Sequence, residues 1–311
     1  MIFLTHFYLM IKNYCFFKGQ YLLEEEIYIH PLSPSTQYGL NVFEGIGAYY
    51  NIKNDSFYLL EIEKHLKRLF DSARRIRLNH NLKISEIEKA ITTLLKKNDF
   101  KDDVYIKLVL LVSSKASWSE EANADLLIFT WEKNRASQLK VPALSLLISS
   151  WERINEKSMP PSIKSGANYM NSRYAFLEAK DLGYDLPLLI NNKGFISESS
   201  GSCIISIKDE KLITPSNSSD ILDSITKKMV FDFSNKILKL ETTEKELTVD
   251  ELLLSDEVFL CGTSIEIYPI RKINTTTFKS VTITNKLKDY FFDIVYNRTI
   301  YTEKYLKRIQ L

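Results

Sequence analysis

The chain has 311 residues, of which 45% are hydrophobic and 26% charged, the composition of an ordinary soluble globular protein. At this length two domains are the natural expectation. Forty-one basic and 39 acidic residues give a net charge of +2, a balance that does not indicate a nucleic-acid or membrane partner. We therefore expect the lysines to lie mainly on solvated helix faces.

Three cysteines and four histidines are scattered along the chain without paired spacing. This pattern predicts neither a disulfide framework nor a metal site, and it fits a reducing cytoplasm. The apolar opening, residues 1–10, lacks the basic region and the cleavage site of a signal peptide and is too short to span a bilayer. We interpret it as a loose extension, or as sequence upstream of a start at Met10.

The first part of the chain, residues 1–132, is predicted to form a small α+β domain. Residues 61–77 carry apolar side chains at helical spacing, which predicts a helix. Ser85 followed by Glu88 predicts a capping box that opens a second helix. Short aromatic and β-branched runs indicate strands at 14–30, 42–60, 104–112 and 126–131.

Residues 133–142 are polar and contain a proline, so we predict an interdomain linker there. The remainder, residues 143–311, is predicted to form the larger domain. A helix over 170–182 is expected to stop at Gly183. Further strands are predicted at 144–149, 187–190, 195–198 and 203–208, and further helices at about 225–238, 250–254 and 283–296.

One segment combines three side chains that suit a single chemistry. Lys164 lies among small and polar residues before a helix, Tyr169 follows five positions later, and a strand–turn–strand then brings Glu198. An amine can form an imine with an aldehyde, a phenol can hold a ring hydroxyl, and a carboxylate can keep a ring nitrogen protonated. Together these groups meet the requirements of a pyridoxal cofactor. Taken singly, they are an ordinary surface lysine, core tyrosine and strand-end glutamate.

Four segments, in this order and spacing, resemble the branched-chain aminotransferases, which are class IV pyridoxal-phosphate enzymes of fold type IV. They are QYGLNVFEGIGAYY (37–50), HLKRLFDSA (65–73), SIKSGANYMNSRYAFLEAKDLGYDLPLLINNKGFISESSG (162–201) and CGTSIEIYPI (261–270). The resemblance implies a two-domain α+β fold like that of D-amino acid aminotransferase, with a small α/β domain and a larger domain with a β-barrel-like core. It also implies a homodimer, or a higher homo-oligomer, whose partner subunit partly closes the pocket between the domains.

The resemblance assigns cofactor-binding roles to several residues. Lys164 would form the Schiff base with pyridoxal 5′-phosphate and then move the substrate's α-proton. Glu198 would face the pyridine nitrogen, and Tyr169 would lie beside the ring hydroxyl. Arg68 would supply a cationic fork for the phosphate. The helix start at Ser224 would complete the phosphate cup, together with Ile225, Thr226 and Thr263.

For the substrate, the resemblance implies an apolar pocket with aromatic walls, and each wall residue could equally be core packing. The loop at Thr263 and Ser264 would present backbone N–H groups to the α-carboxylate. Lys107 stands where the family carries an arginine for the distal carboxylate of glutamate, so it keeps the charge and loses the bidentate fork. The implied wall residues are Tyr38, Phe43, Tyr105 and Trp131.

Other positions also depart from the family pattern. Gly47 stands where the family has an arginine. Asp223-Ser224 replaces a proline-glycine before the phosphate helix, and an acid near a phosphate is unexpected. Ser202-Cys203 replaces glutamate-asparagine. None of these changes removes the lysine, tyrosine or glutamate expected to serve the cofactor.

The implied activity is ping-pong transamination of branched-chain L-amino acids with 2-oxoglutarate. An aminodeoxychorismate lyase, a D-amino acid aminotransferase or another specialised aminotransferase would share the same fold and cofactor. The tripeptide at 43–45 and the strand at 104–107 favour the branched-chain group, whereas Gly47 and Lys107 leave room for a different substrate. The alternative that is not an enzyme is a catalytically silent dimeric homologue.

Overall fold

The computed structural model describes residues 13–133 and 143–310. The expected linker therefore lies outside the described residues, except for its first residue, Lys133. Over these two ranges no helix has the length and apolar character needed to cross a membrane. The same ranges hold no group of three or more His, Cys, Asp or Glu side chains that could bind a metal ion.

The described residues form eighteen strands, of which ten lie in the segments where strands are expected and eight, six of them after residue 210, were not predicted. They are β1 (Tyr14–Phe17), β2 (Gln20–Leu23), β3 (Asn41–Asn51), β4 (Ser56–Leu60), β5 (Leu78–Asn79), β6 (Val104–Leu111), β7 (Ala122–Asn123), β8 (Asp125–Glu132), β9 (Leu144–Glu152), β10 (Leu186–Ile190), β11 (Ile196–Ser199), β12 (Cys203–Lys208), β13 (Lys211–Pro215), β14 (Thr242–Lys245), β15 (Glu257–Gly262), β16 (Glu266–Ile273), β17 (Thr276–Thr277) and β18 (Leu306–Gln310).

The helices are α1 (Pro34–Tyr38), α2 (Ile62–Arg75), α3 (Ile84–Lys97), α4 (Tyr169–Asp181), α5 (Ile225–Lys236), α6 (Val249–Leu253), α7 (Thr282–Val295) and α8 (Thr302–Tyr305). The predicted helices are confirmed to within about two residues at each end. Beyond α4, Gly183 adopts a positive φ of 78°. Its N–H donates to the carbonyl of Lys180 at 3.1 Å, which ends the helix as predicted.

The predicted capping box at the start of α3 is wrong. The helix begins at Ile84, and Lys83 occupies the N-cap position. Glu86 Oε2 accepts the backbone N–H of Lys83 at 3.0 Å, so the reciprocal acid comes two residues earlier than expected. Ser85 and Glu88 consequently lie inside the helix.

The first sheet has seven strands in the spatial order β18-β4-β3-β6-β8-β1-β2. Its inward face packs against α2 and α3, whose apolar residues recur at helical spacing. Leu66 and Leu69 of α2 and Ile91 of α3 are fully buried in this core together with Ile46 and Ile106 of the central strands. This core carries β3, whose opposite face supplies part of the site described below.

The second sheet has nine strands, with the main order β11-β10-β9-β16-β15-β12-β13-β14. In a flat sheet β11 and β12 would lie five strand spacings apart, roughly 24 Å. Yet only three residues, 200–202, connect them, and the four peptide units from Ser199 to Cys203 span at most ~15 Å. Ser199 N–H also donates to Ser202 O at 3.0 Å, which makes the connection a tight turn. The sheet must therefore curl into an open, barrel-like shape.

The last described strand returns to the first sheet. β18 pairs antiparallel with β4, and Ile309 lies opposite Phe57 in that pairing. Ile309 is buried in the core of the first sheet. The division into 1–132 and 143–311 remains a prediction, and this pairing ties the end of the predicted larger domain to the predicted smaller one.

Replacing Ile309 by Ala should lower the free energy of unfolding by about 2 kcal/mol, because it removes buried methyl groups from the core of the first sheet. Lys307→Ala on the same strand is the control, since it removes only an exposed ion pair with Glu88 and should cost at most about 0.5 kcal/mol. Urea unfolding of both variants checks this. Equal small losses would mean that β18 does not contribute to the core.

Candidate active site

A cavity of about 280 Å³ lies between the two sheets. Strand β3, helix α2 and the loop before α4 form one side, and the ends of β11, β12 and β15 with the start of α5 form the other. The structure thus brings together residues that are far apart in sequence. The predicted site residues that line it are Phe43, Arg68, Tyr105, Lys164, Tyr169, Glu198, Ile225, Thr226, Thr263 and Ser264.

The loop that carries Lys164 is held by its own backbone. Lys164 O accepts the N–H of Phe43 at 3.0 Å, and Lys164 N–H donates to Ser72 Oγ at 3.4 Å. The half-buried side chain directs Nζ to Tyr169 Oη at a distance of 2.9 Å. Nζ also lies 5.0 Å from the centre of the Phe43 ring. The amine and the phenol expected from the sequence are therefore in direct contact.

Glu198, on β11, is buried and paired. Its Oε1 accepts from Arg153 Nη2 at 2.7 Å and from the backbone N–H of Leu222 at 3.2 Å. Burial raises the pKa of Glu198, while the Arg153 charge, the Leu222 hydrogen bond and the Lys164 charge act in the opposite direction. A buried carboxylate that stays paired with Arg153 can also bind a second cation, or accept a hydrogen bond from a donor, in the cavity.

Arg153 was not predicted as a site residue; it is 8% exposed and follows the end of β9. Its partner lies 45 residues further along the chain, so no local spacing could indicate the pair. Its Nε is buried without a hydrogen-bond partner among the described residues. The signal in the sequence was an arginine directly after an apolar strand, a position where a buried cation needs a counter-charge.

Arg68 on α2 pairs with a second buried acid, Glu44 of β3. The Nε and Nη2 atoms of Arg68 bond the two carboxylate oxygens at 2.6 and 2.9 Å, and His65 Nδ1 lies 2.7 Å from Glu44 Oε2. Although burial alone would raise it, the Arg68 charge and the His65 hydrogen bond lower the pKa of Glu44 to about 2. Glu44 and His65 were also not predicted as site residues, because within their two motifs roles were assigned to Phe43 and Arg68.

This pairing changes how Arg68 can serve an anion. Three of its five N–H groups are used, two by Glu44 and one by the carbonyl of Asp223 at 2.7 Å from Nη1. One N–H on each terminal nitrogen has no recorded partner among the described residues. Glu44 thus orients the guanidinium of Arg68, and Nη1 and Nη2 each retain one N–H that could donate to an anion.

The start of α5 offers further donors for an anion. Ser224 caps the helix, its Oγ accepting the N–H of Lys227 at 3.2 Å, and Ser224, Ile225 and Thr226 line the cavity. The unexpected acid, Asp223, is not in that lining. Its carboxylate pairs with Lys228 and lies 3.7 Å from Lys227 Nζ, so two lysines offset its charge.

Two thiols lie at the floor of the cavity. Cys203 on β12 and Cys261 on β15 are direct partners in the strand register, and both are buried free cysteines. Their spacing in sequence gave no hint of this contact, which depends on the pairing of two distant strands. Cys203, in place of the family's asparagine, therefore packs beside the loop that follows β15.

A second cavity of about 410 Å³ adjoins the first and shares Phe43 and Tyr169 with it. Lys107 lines it, and Lys107 Nζ lies 5.0 Å from the centre of the Phe43 ring. Burial, and to a lesser extent the charge of Lys164, lowers the pKa of Lys107. The two lysines thus flank one aromatic ring.

Two predicted wall residues lie outside the linings of both cavities. Tyr38, at the end of α1, is 57% exposed, and its ring is 6.4 Å from that of Trp118. Trp131 packs on Tyr105, with ring centres 4.9 Å apart, and supports the wall from behind. Tyr105 itself lies directly over Gly45, where an added Cβ would be 1.8 Å from its hydroxyl oxygen.

Comparison with known proteins agrees with this geometry. The family model described as amino-transferase class IV matches residues 41–273. A probable branched-chain-amino-acid aminotransferase of Aquifex aeolicus is 30% identical over 299 residues, covering 94% of this chain and 96% of the relative.

Two crystal structures of branched-chain aminotransferases have a similar fold. The enzyme from Thermoproteus uzoniensis, with norvaline, has a TM-score of 0.90 at 31% identity, covering 96% of this chain and 99% of that one. The enzyme from Thermobaculum terrenum, in its PLP form, has a TM-score of 0.90 at 32% identity, covering 96% and 100%.

The fold and the family match together define the class of protein: an enzyme that transfers amino groups. The chain belongs to the class IV aminotransferases. The expected fold type IV architecture, with its barrel-like second sheet, is thereby confirmed.

Glu44→Gln tests the buried ion pair behind the site. At neutral pH it should lower the free energy of unfolding by roughly 3 kcal/mol, because Arg68 loses its buried counter-charge. The folded-state pKa of Glu44 is depressed, so its contribution is present above the ordinary value of 4.5 and is lost as the pH falls towards about 2. Denaturant unfolding at a series of pH values measures it.

The wild-type protein should therefore lose stability more steeply than Glu44→Gln between about pH 4.5 and 2. Glu63→Gln, at an exposed position on α2, the helix that carries Arg68, is the control and should follow the wild type. Parallel curves for the wild type and Glu44→Gln would contradict the assignment of this pair.

Proposed function

We propose that this aminotransferase uses pyridoxal 5′-phosphate to transfer the amino group of branched-chain L-amino acids to 2-oxoglutarate. The observation that carries the proposal is the contact of 2.9 Å between Lys164 Nζ and Tyr169 Oη in a cavity that also holds the buried Glu198. Relatives known as branched-chain aminotransferases, one solved in its PLP form, support it.

The residues present fit this cofactor. An amine, a phenol and a guanidinium line one side, and a buried carboxylate and a helix start line the other, which together offer the groups that an aldehyde-bearing pyridine with a phosphate requires. When bound, pyridoxal phosphate supplies an aldehyde for the substrate's amine and a conjugated ring that accepts the electrons of the α C–H bond.

Lys164 is proposed to hold the cofactor and to act as the base. Its amine takes the proton from the substrate's α-carbon and later returns a proton, so it must be able to exist without charge. Tyr169 Oη is in contact with Nζ and would hold the Lys164 side chain in position between the two proton transfers. The ring of Phe43 on the other side limits the positions that Nζ can take.

Glu198 is proposed to keep a pyridine nitrogen protonated. Its burial raises its own pKa, so the carboxylate strongly favours a positively charged partner. Arg153 holds the carboxylate in place from the other side through a bond of 2.7 Å. Arg153 is therefore a positioning residue for Glu198.

The phosphate is proposed to lie at the start of α5. Backbone N–H groups of Ile225 and Thr226, with the hydroxyls of Thr226 and Thr263, would donate hydrogen bonds to the phosphate oxygens, and the helix start would stabilise their negative charge. Arg68 contributes the N–H groups that Glu44 and the Asp223 carbonyl leave unused, which gives the phosphate a cation without giving up the buried ion pair.

The substrate is proposed to lie between the two cavities. Phe43 and Tyr105, with Trp131 behind, give an apolar wall that suits a branched aliphatic side chain. Thr263 and Ser264 would bind the α-carboxylate through their backbone N–H groups. Lys107, in the adjoining cavity, would pair with the distal carboxylate of glutamate or 2-oxoglutarate as a point charge.

A homodimer and a cytoplasmic setting are part of the same proposal. Exposed aromatic side chains such as Tyr38 and Trp118 suit a subunit contact beside the substrate cavity. The three cysteines are free thiols, as expected in a reducing compartment.

Lys164→Ala should reduce transamination of leucine with 2-oxoglutarate by more than ~1,000-fold, because the nucleophile and the base are lost together. The variant should fold normally and should lack the yellow absorbance expected of the wild type with pyridoxal phosphate. Coupled-assay rates and visible spectra measure both. Lys157→Ala, at an exposed loop position, is the control and should behave as the wild type, whereas normal turnover by Lys164→Ala would refute the catalytic assignment.

Lys107→Met should lower kcat/KM for glutamate by roughly 10-fold or more while changing kcat/KM for leucine little, because only glutamate carries a second carboxylate. Lys107→Arg should retain or improve the use of glutamate. The pKa of Lys107 is lowered, so its charge is lost as the pH rises. As the pH rises, kcat/KM for glutamate in the wild type should therefore decline before kcat/KM for leucine does, and identical pH profiles would contradict this role.

A further inference from the structure

Behind the loop that joins β15 to β16 lies a buried ion pair that the activity described above does not use. Lys133 follows β8 and is 9% exposed, and its Nζ bonds Glu266 Oε1 at 2.6 Å. The same Nζ donates to the carbonyl oxygen of Thr263 at 2.9 Å. A lysine expected in a solvent-exposed linker is thus one of the most enclosed cations of the described chain.

Glu266 lies at the end of this loop and accepts hydrogen bonds from two side chains. It is 1% exposed, has a positive φ of 59°, and pairs with Gly262 in the strand register, so it closes the loop of residues 263–265. A second donor, Tyr49 Oη, bonds the same oxygen at 3.0 Å. A non-glycine residue at positive φ persists only where its surroundings hold it, and here two hydrogen-bond donors from other strands do so.

Gly47 makes room for this network. A Cβ at position 47 would lie 3.0 Å from Tyr49 Cε2 and 3.2 Å from Tyr49 Oη, which is tighter than most contacts of a Cβ atom. With the arginine that the resemblance leads one to expect at this position, the Tyr49 ring would have to shift by a few tenths of an ångström. With glycine there, Tyr49 reaches Glu266, and the positive charge beside the loop comes from Lys133, which follows β8.

The orientation of one peptide plane connects this network to the cavity. The described chain has no cis peptide bonds, so the N–H of Ser264 points opposite to the C=O of Thr263. Because Lys133 Nζ holds that carbonyl, the Ser264 N–H is directed away from Lys133, which lies outside the cavity lining, whereas Thr263 and Ser264 belong to it. A cation on the carbonyl also makes the N–H of the same peptide a stronger donor.

We propose that Lys133 is a positioning residue that sets the Thr263–Ser264 peptide so that its N–H faces the carboxylate of the substrate. The proposal rests on the function given above, in which this loop binds the α-carboxylate. Glu266 and Tyr49 complete the device, Glu266 by neutralising Lys133 and Tyr49 by fixing Glu266. Lys133 itself touches neither substrate nor cofactor.

The test compares three variants with the wild type. Lys133→Met removes the cation, and Lys133→Arg keeps it. The double variant Lys133→Met/Glu266→Gln leaves no buried unpaired charge, so it carries the test where the single variant fails to fold. Lys157→Met, at an exposed loop position, is the control for loss of a lysine.

The first readout is binding of 4-methylvalerate, an apolar monocarboxylate, to the cofactor-loaded protein by calorimetry. We expect Lys133→Met and the double variant to bind it about tenfold or more weakly. Lys133→Arg and Lys157→Met should stay within about threefold of the wild type. Uptake of pyridoxal phosphate, followed by visible absorbance, should be the same in all five proteins, and KM for leucine should rise more than kcat falls.

The second readout needs no cofactor. In the cofactor-free protein, amide hydrogen exchange at residues 263–265 should be faster in Lys133→Met and in the double variant, and unchanged in Lys133→Arg and Lys157→Met. Wild-type-like exchange and wild-type-like carboxylate binding in Lys133→Met would overturn the proposal. Equal losses of carboxylate and cofactor binding would overturn it too, since they indicate a general structural role.

These readouts separate the two levels of the account. A wild-type protein that takes up no pyridoxal phosphate would refute the proposed function, while the exchange measurement would still decide whether Lys133 holds the loop. Conversely, normal cofactor uptake with exchange that does not depend on Lys133 would leave the proposed function intact and reject the positioning role.

Discussion

The site depends on the curl of the second sheet. The three-residue turn after β11 brings Glu198 beside the ends of β12 and β15, which no flat arrangement of these strands allows. The same curl leaves a hollow that the loop of Lys164 closes from the side of the first sheet, where Lys164 O accepts the N–H of Phe43. The topology thus places an amine and a carboxylate on opposite sides of one cavity, as chemistry on a ring between them requires.

Buried charges in and around this hollow occur in pairs, and each pair frees or orients a group that faces the cavity. Arg153 holds Glu198, Glu44 orients Arg68, and Glu266 neutralises Lys133. Such pairs contribute little net stability compared with apolar packing, but loss of one partner leaves an uncompensated charge. Their value in this fold is therefore the orientation they give to a neighbouring donor or acceptor, which local propensity cannot provide.

The sequence predicted the helices and the cofactor chemistry well, but it missed the strands after residue 210 and the supporting contacts. Lys164 and Tyr169 are five residues apart, so a loop followed by a helix start was enough to bring them together. The partner of Arg153 is 45 residues away, and that of Lys133 is 133 residues away, so only the pairing of strands reveals them. Tyr38 stays a prediction, since a motif position suggested a pocket wall and the side chain is exposed in this chain.

The most direct test of the central claim is to locate the cofactor chemically. Wild-type protein incubated with pyridoxal phosphate and reduced with borohydride is digested, and the peptides are analysed by mass spectrometry. The account predicts that the phosphopyridoxyl mass is found on Lys164 and on no other lysine at comparable occupancy. A label spread over surface lysines, or concentrated on another residue such as Lys107, would contradict it.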